Sequence, residues 1–384
     1  MRVIFVDDEV RVLEALERVL FELETDWETA FLHGGELALA ELAKKPYDVI
    51  VSDLRMAGMD GVDFLRRAAQ LYPRSVRIVL SGHSDEEAAL KMVHLAHQFL
   101  AKPCRAETLH QVIVRTQQLA ELLPERKLQT LAGQFGALPS SIDLQRELLA
   151  LVEHEDASAA AMATVIQKDP GLTSKLLQVA SSAFFNSSAS VTDVESAIMR
   201  LGLRTLRNLA RRLCSDAELR VSALPTATAV QALQQRSLRI AELAASMAKL
   251  PEDAATAYVA GLLCDVGQLV LVTGAPERQY VTQAEAAQRG VPQHVAELST
   301  WGTTHAEIGA YLLGLWGLPV QIVQAVADHH APEREGLDHV GLTQLVWLAS
   351  CIVDDEEPSP ELLSQFGAEE LYRTHRSHNE ETEP

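Results

Sequence analysis

The sequence predicts a multidomain chain: an N-terminal α/β domain built on a doubly wound, five-stranded parallel sheet, then an all-α domain. Three observations predict it. The 384 residues are enough for two or three domains at about 150 residues each. Up to about residue 120, short apolar runs alternate with helical periodicity, whereas beyond residue 140 only helical periodicity remains. Hydrophobic residues make up 47% and charged residues 22%, an ordinary globular mix that excludes wholesale disorder and fibrous repeats.

Residues 3–6 form the first apolar run, followed by Val12, Leu13, Leu16, Val19 and Leu20 at helical spacing. A second strand ends at 30–32, and Gly34-Gly35 opens a helix carrying Leu37, Leu39 and Leu42. Residues 49–51, 76–80 and 98–101 supply three more strands, with a helical stretch between each pair. Strands alternating with helices imply a parallel sheet covered on both faces. Five such units in this length fit the flavodoxin-like arrangement. A helix from 105 to 123 stops at Pro124, and Gly133, Gly136 and Pro139 punctuate a connector. Helical patterns then recur at 144–152, 157–167, 172–180, 194–200, 203–213, 229–248, 254–264, 305–316, 320–329 and 342–352. The chain therefore divides into an α/β domain at 1–120, a helical linker at 121–137, an all-α domain at 138–352 and a tail at 353–384.

Charge refines this map. The net charge is −20, and half of it lies in residues 331–384. Asp354-Asp355-Glu356-Glu357-Pro358 and the acidic C-terminus read as a solvated, partly disordered tail. An acidic balance argues against a nucleic-acid or anionic-membrane footprint over the whole surface. No apolar run reaches the roughly 18 residues of a membrane span. No signal peptide is expected, because Asp7 follows a very short apolar stretch. Cys104, Cys214, Cys264 and Cys351 lie far apart, without disulfide or zinc spacing. A cytoplasmic protein is expected.

In a doubly wound sheet, ligands bind at the carboxyl ends of the strands. Strand one runs into Asp7-Asp8-Glu9 and strand three into Asp53; strand four ends at Ser81-Gly82, and Lys102-Pro103 follows strand five. Carboxylates gathered at one point repel one another unless a hard divalent cation joins them, and Mg²⁺ suits oxygen donors. With the cation and a lysine offsetting charge, one carboxylate becomes a nucleophile towards phosphorus, and a hydroxyl such as Ser81 can bond a phosphoryl oxygen. Asp60 reads as turn chemistry before Gly61, and Glu9 as a residue that tunes the acidic pocket.

Residues 1–120 resemble the receiver domain of two-component response regulators. The resemblance rests on Asp7-Asp8, Asp53-Leu54-Arg55-Met56, Met59-Asp60-Gly61, Ser81-Gly82 and Phe99-Leu100-Ala101-Lys102-Pro103. It implies that Asp53 accepts the phosphoryl group and that Mg²⁺ binds Asp7, Asp8, Asp53 and the Arg55 carbonyl. It further implies that Ser81 and Phe99 are switch residues, that Lys102 pairs with the phosphate, and that a cis peptide precedes Pro103. Ala57 departs from the proline usual in that loop, which is expected to loosen it.

The helical region offers Cys264-Asp265 after Gly261-Leu262-Leu263, with His305, His329 and His330 further on. This text resembles the HD superfamily of metal-dependent phosphohydrolases, with pieces missing. Arg236 stands where a ligand histidine is expected, Cys264 replaces the histidine of the His-Asp pair, and Gln268 replaces a lysine. The better match, over 138–332, is the HDOD domain, a relative of that superfamily without catalysis. It is carried by Leu138-Pro139, Asp169-Pro170-Gly171-Leu172, Ser181-Ser182-Ala183-Phe184-Phe185, Leu201-Gly202-Leu203, Trp301-Gly302, His305, Glu307, Gly309 and Trp316-Gly317-Leu318-Pro319. That resemblance implies an output module working by protein contact, so Arg236, Cys264, Asp265, His305, His329 and His330 are remnants and no metal is expected there. Ser181 stands where the family usually has asparagine, which puts a polar bond or cap there in question.

Arg204, Arg207 and Arg211, with Arg200 and Arg212 nearby, recur at helical spacing and form a candidate partner surface; Gly202 is expected to break the register. The combined reading is a response regulator. A sensor histidine kinase or phosphotransfer protein phosphorylates Asp53, and the HDOD domain then meets a downstream signalling protein, cyclic-di-GMP enzymes included. Pairing of two copies through the helix–strand–helix face near 85–118 is implied by the resemblance alone. Two other readings stand beside this one: a cyclic-di-GMP phosphodiesterase, and a nucleic-acid-binding output through the Arg204–Arg211 stripe. The second lacks a helix-turn-helix signature, and neither nucleic acid nor a membrane is expected as a partner.

Overall fold

A computed structural model of the chain describes residues 1–382 apart from Glu24, 83–85, Glu155, 186–190 and 216–223. The first domain has strands β1 (Arg2–Asp7), β2 (Glu28–His33), β3 (Val49–Asp53), β4 (Val76–Gly82) and β5 (Gln98–Lys102). All pair in parallel, in the order β2-β1-β3-β4-β5. Strand alternation sends successive side chains to opposite faces. Val3 and Phe5 therefore face α1 (Val10–Glu22), while Ile4 and Val6 face α2 (Gly35–Leu42), α3 (Gly61–Leu71) and α4 (Glu86–Lys91). Helix α5 (Ala106–Leu122) joins α1 through Leu109 and Ile113.

The connector is more than a spacer. Helix α6 (Arg126–Gly133) buries Leu128 and Ala132 in a core continuous with both domains. Gly136 lies so close to the first domain that a Cβ there would stand 1.8 Å from the His94 carbonyl oxygen, so only glycine fits.

The second domain begins with α7 (Ile142–Glu153), α8 (Ala159–Ile166), α9 (Pro170–Ser181) and α10 (Val194–Ser215). Asp169 caps α9 by accepting Leu172 N–H at 2.9 Å, with Pro170 in the first turn. Gly202, at φ 75°, kinks α10, as the broken arginine register suggested. Then come α11 (Leu224–Met247), α12 (Pro251–Leu263), α13 (Val266–Gly274), α14 (Pro276–Arg289), α15 (Gln293–Trp301), α16 (His305–Leu315), α17 (Val320–Asp328) and α18 (Leu342–Val353). Helices α13 to α15 carry no separate sequence expectation. Pro251–Gly274 is apolar and long enough to cross a membrane, contrary to the sequence estimate, but 89% of its most apolar 18-residue window is buried inside the protein.

The reading of 353–384 as a partly disordered tail is corrected. Residues beyond α18 fold into α19 (Pro360–Phe366) and α20 (Glu369–Thr382). Phe366, Ala368 and Tyr372 bury against the apolar cluster of α11, α12 and α18. Three apolar side chains at the right spacing outweigh an acidic composition. Asp355 and Glu357 pair with Arg376. Glu383 and Pro384 lie outside the described residues.

Candidate functional site

The carboxyl ends of β1, β3 and β5 bring Asp7, Asp53 and Lys102 together. Lys102 Nζ stands 2.7 Å from Asp7 Oδ2 and 2.7 Å from Asp53 Oδ1. Oxygen atoms of Asp7, Asp8 and Asp53 lie within 4.8 Å of one another, a hard-donor cluster that fits Mg²⁺. Burial pushes the Asp53 carboxyl up; Lys102 opposes that shift and Asp7 adds to it. For Lys102, burial opposes the charge, yet its two carboxylate partners outweigh burial and raise its pKa.

The surrounding chain holds these groups in place. Asp7 Oδ1 accepts Glu9 N–H at 2.9 Å, while the Glu9 side chain is exposed. Asp60 caps α3 by accepting Asp63 N–H at 2.7 Å. A Cβ on Gly61 would stand 2.3 Å from the Asp53 carbonyl oxygen, so glycine lets the loop close over the strand end. Ala57 tightens the loop it was expected to loosen, since its N–H donates to Asp8 Oδ2 at 2.8 Å; proline has no N–H to offer there. Arg55 is exposed beside buried Leu54, and the Lys102–Pro103 peptide is cis. Ser81 is fully buried with its hydroxyl unpartnered among the described residues.

Phe99 leads away from this pocket to the second domain. It is 4% exposed and shares an apolar cluster with Val79, Ala89, Met92, Ala96 and Phe184. Phe184 belongs to a short 3₁₀ turn, Ala183–Phe185, of the helical domain. The helix–strand–helix face expected to pair two copies is thus covered from within the same chain. Polar bonds seal the seam. Lys175 Nζ, 1% exposed, donates to Val93 O at 3.2 Å and Gln178 Oε1 at 2.6 Å and sits 3.8 Å from the Trp316 ring centroid. Gln178 Nε2 donates to Ala96 O at 3.2 Å and His97 O at 2.8 Å. Gln98 Nε2 donates to Leu315 O at 3.1 Å, and buried Arg77 to Gly133 O at 3.0 Å. A cavity of about 280 Å³ remains between the domains, lined by Phe99, Gln111, Arg115, Ser181 and Trp316. Ser181, where asparagine was expected, has no partner for its hydroxyl among the described residues, whereas Ser182 bonds Val179 O at 2.7 Å.

The structure also gathers the second constellation. Arg236 pairs with Asp265 on one side and with Asp354 on the other, at 2.6 Å and 2.9 Å. His305 Nε2 lies 3.3 Å from Asp265 Oδ1 and 3.0 Å from His330 Nε2. A Thr304–Glu307 capping box starts α16 so that His305 occupies its first turn. Burial, with help from the neighbouring histidines, holds His329 and His330 well below the usual imidazole range. Burial pushes the Cys264 thiol up to about 12, Arg236 notwithstanding. Sequence reasoning missed Glu297, which holds His305, and Asp354, which it assigned to the tail. The arginine stripe is divided: Arg204 and Arg211 are exposed, while Arg207 donates to the His154 carbonyl at 2.9 Å.

Compared with known proteins, residues 3–114 match the response regulator receiver domain and residues 138–332 match the HDOD domain. An uncharacterised protein of Treponema pallidum is 28% identical over 212 residues, which is 53% of this chain and 40% of that protein. The hydrogenase transcriptional regulatory protein HoxA of Cupriavidus necator is 38% identical over 103 residues, 26% of this chain and 21% of that protein. The solved MmoQ response regulator of Methylococcus capsulatus is 30% identical, covering 62% of this chain and 97% of that one, with a TM-score of 0.47. The chain thus spans less than half the length of these two curated relatives.

Proposed function

Because this chain belongs to the HDOD family and carries a response regulator receiver domain ahead of its HDOD domain, we propose that it is a phosphorylation switch of a two-component phosphorelay. A sensor histidine kinase or a phosphotransfer protein presents a phosphohistidine. An Asp53 oxygen attacks phosphorus, the P–N bond breaks as the acyl phosphate P–O bond forms, and the imidazole leaves. Asp7, Asp8, Asp53 and the Arg55 carbonyl would hold Mg²⁺, which supplies positive charge against the phosphoryl oxygens. Lys102 supplies a second positive charge, and Ser81 turns its hydroxyl onto a phosphoryl oxygen.

The observation that carries this reading is the Lys102 ammonium, 2.7 Å from both Asp7 and Asp53, with the Ser81 hydroxyl, unpartnered among the described residues, at the end of the neighbouring strand. Movement of Ser81 frees space that Phe99 can enter, and Phe99 shares its cluster with Phe184 of the HDOD domain. Phosphorylation then biases a two-state seam between docked and released domains. The HDOD domain acts by contact and not by hydrolysis, because Arg236 and Cys264 stand where metal ligands are needed. Its partner is a downstream signalling protein in the cytoplasm, cyclic-di-GMP enzymes included.

Acetyl phosphate with Mg²⁺ gives an acid-labile adduct on the wild-type chain and none on Asp53→Asn. The same adduct increases amide exchange along 93–97 and 175–182. An adduct that persists in Asp53→Asn refutes the assignment of the acceptor. Phosphorylation without any change in exchange refutes the coupling.

A further inference from the structure

The cleft of about 280 Å³ at the seam lies near the lower end of small-molecule pockets, which favour domain interfaces. Both domains line it. Phe99, Val112 and Arg115 come from β5 and α5 of the receiver. Ser181 ends α9, Ala183 opens the turn after it, and Trp316 directly follows α16.

The lining has more donors than acceptors and the wrong charge for its surroundings. In a chain of net charge −20, no Asp or Glu stands among the lining residues. Arg115 is half-buried, and among the described residues its guanidinium makes one hydrogen bond, to the Leu318 carbonyl, and no ion pair. A guanidinium offers five N–H donors, so four have no protein acceptor there. Burial pushes its pKa down, with no carboxylate opposing that shift. Charges drawn out of water need a partner, and here the described chain supplies none. The Lys175 ammonium, 3.8 Å from the Trp316 ring centroid, adds positive charge nearby. Two further lining residues hold donors without partners among the described residues, the Ser181 hydroxyl and the Trp316 indole N–H.

The rest of the lining decides what kind of anion fits. Phe99, Val112, Ala183 and the Trp316 ring suit a carbon body better than a hydrated inorganic ion. One guanidinium matches one negative charge, and its planar fork matches a carboxylate. We propose that this cleft binds a compact organic monocarboxylate, held by Arg115 at its charged end and by the apolar lining along its body. Residues of both domains form the site, so the ligand binds the docked chain and fastens it. Any signal that opens the seam opposes the ligand, and the ligand opposes the signal to the same extent. Binding itself needs no phosphorylation, so it stands apart from the assignment of Asp53.

The test uses the full, unphosphorylated chain at constant ionic strength, without Mg²⁺ or a phosphoryl donor, and benzoate as the probe. Hydrogen exchange along 93–97 and 175–182 is followed against benzoate concentration. Benzoate binds with a Kd of about 1 mM, the range for so small a ligand. At ten times its Kd it slows exchange in both segments about tenfold. Benzamide, neutral and of the same shape, binds about tenfold more weakly, and Arg115→Gln weakens benzoate binding by a similar factor. The benzamide comparison is made on wild type, so it remains readable if the variant fails to fold. The proposal is overturned if benzoate leaves exchange unchanged, or if benzamide or inorganic phosphate protects as well as benzoate. Wild-type benzoate affinity in Arg115→Gln overturns it too.

Discussion

Replacing Gln178 by alanine releases the helical domain from the receiver. Gln178 is 1% exposed, and its amide spans the seam to two receiver carbonyls, Ala96 O and His97 O. In the docked chain both acceptors lose their donor and water cannot reach them, at about 1–3 kcal/mol each. In the undocked chain water satisfies both, so the cost falls on docking and not on the folding of either domain. Lys175 also loses its acceptor at 2.6 Å, a charged bond that adds to the penalty. Even the lower bound, about 2 kcal/mol for the pair, shifts the docking equilibrium about 30-fold towards the open chain. Hydrogen exchange of 93–97 and 175–178 reports it directly, and the radius of gyration from small-angle scattering reports it globally. Exchange at 93–97 within about twofold of wild type would refute the reasoning, because the bonds would then contribute nothing to the seam.

Among the described residues, Phe184→Ala removes the only aromatic side chain that the helical domain contributes to the Phe99 cluster. It destabilises the docked chain by about 3–5 kcal/mol, read as a lower urea midpoint for the transition that exposes Phe99. Asp354→Ala strips Arg236 of its outer partner while Asp265 remains, and losing that charge-assisted pair costs about 1.5–3 kcal/mol; thermal unfolding of the full chain shows the loss. The stability of the seam also falls in mild acid. His97 is buried, and burial, with Arg77 and Lys175 nearby, holds it well below its usual range. Its Nδ1 accepts the Arg77 N–H at 2.9 Å. A depressed folded-state value means that its contribution is complete above about pH 6.5 and is lost as pH falls below that, by up to about 1.4 kcal/mol per unit. Urea titrations at pH 7.5 and 5.5 measure the drop, and His97→Gln reduces it.

The receiver pocket was legible because local pattern and chemistry coincide there. An apolar run that ends abruptly in Asp7 or Asp53 announces both a strand and what lies at its end. The seam was not legible, because Lys175 meets Val93 across 82 positions and nothing local distinguishes a lysine that will be buried from one that will not. Asp354 and Glu297 were missed for the same reason. One sat in a charge run and the other in a stretch where no element was expected, and only packing gives either a partner. The acidic segment after residue 353 shows composition outweighed by a few apolar anchors, Phe366 and Tyr372.

The pairing of Arg236 with Asp354 bears on where this output unit can be cut. Family similarity stops at residue 332, ahead of α18 and of Asp354. A fragment ending there would expose the apolar wall of α11 and α12 and strand a guanidinium beside Asp265. The smallest portable piece of the helical half therefore runs to the end of α20, and swapping experiments between regulators need to carry the acidic segment along as part of the unit it completes.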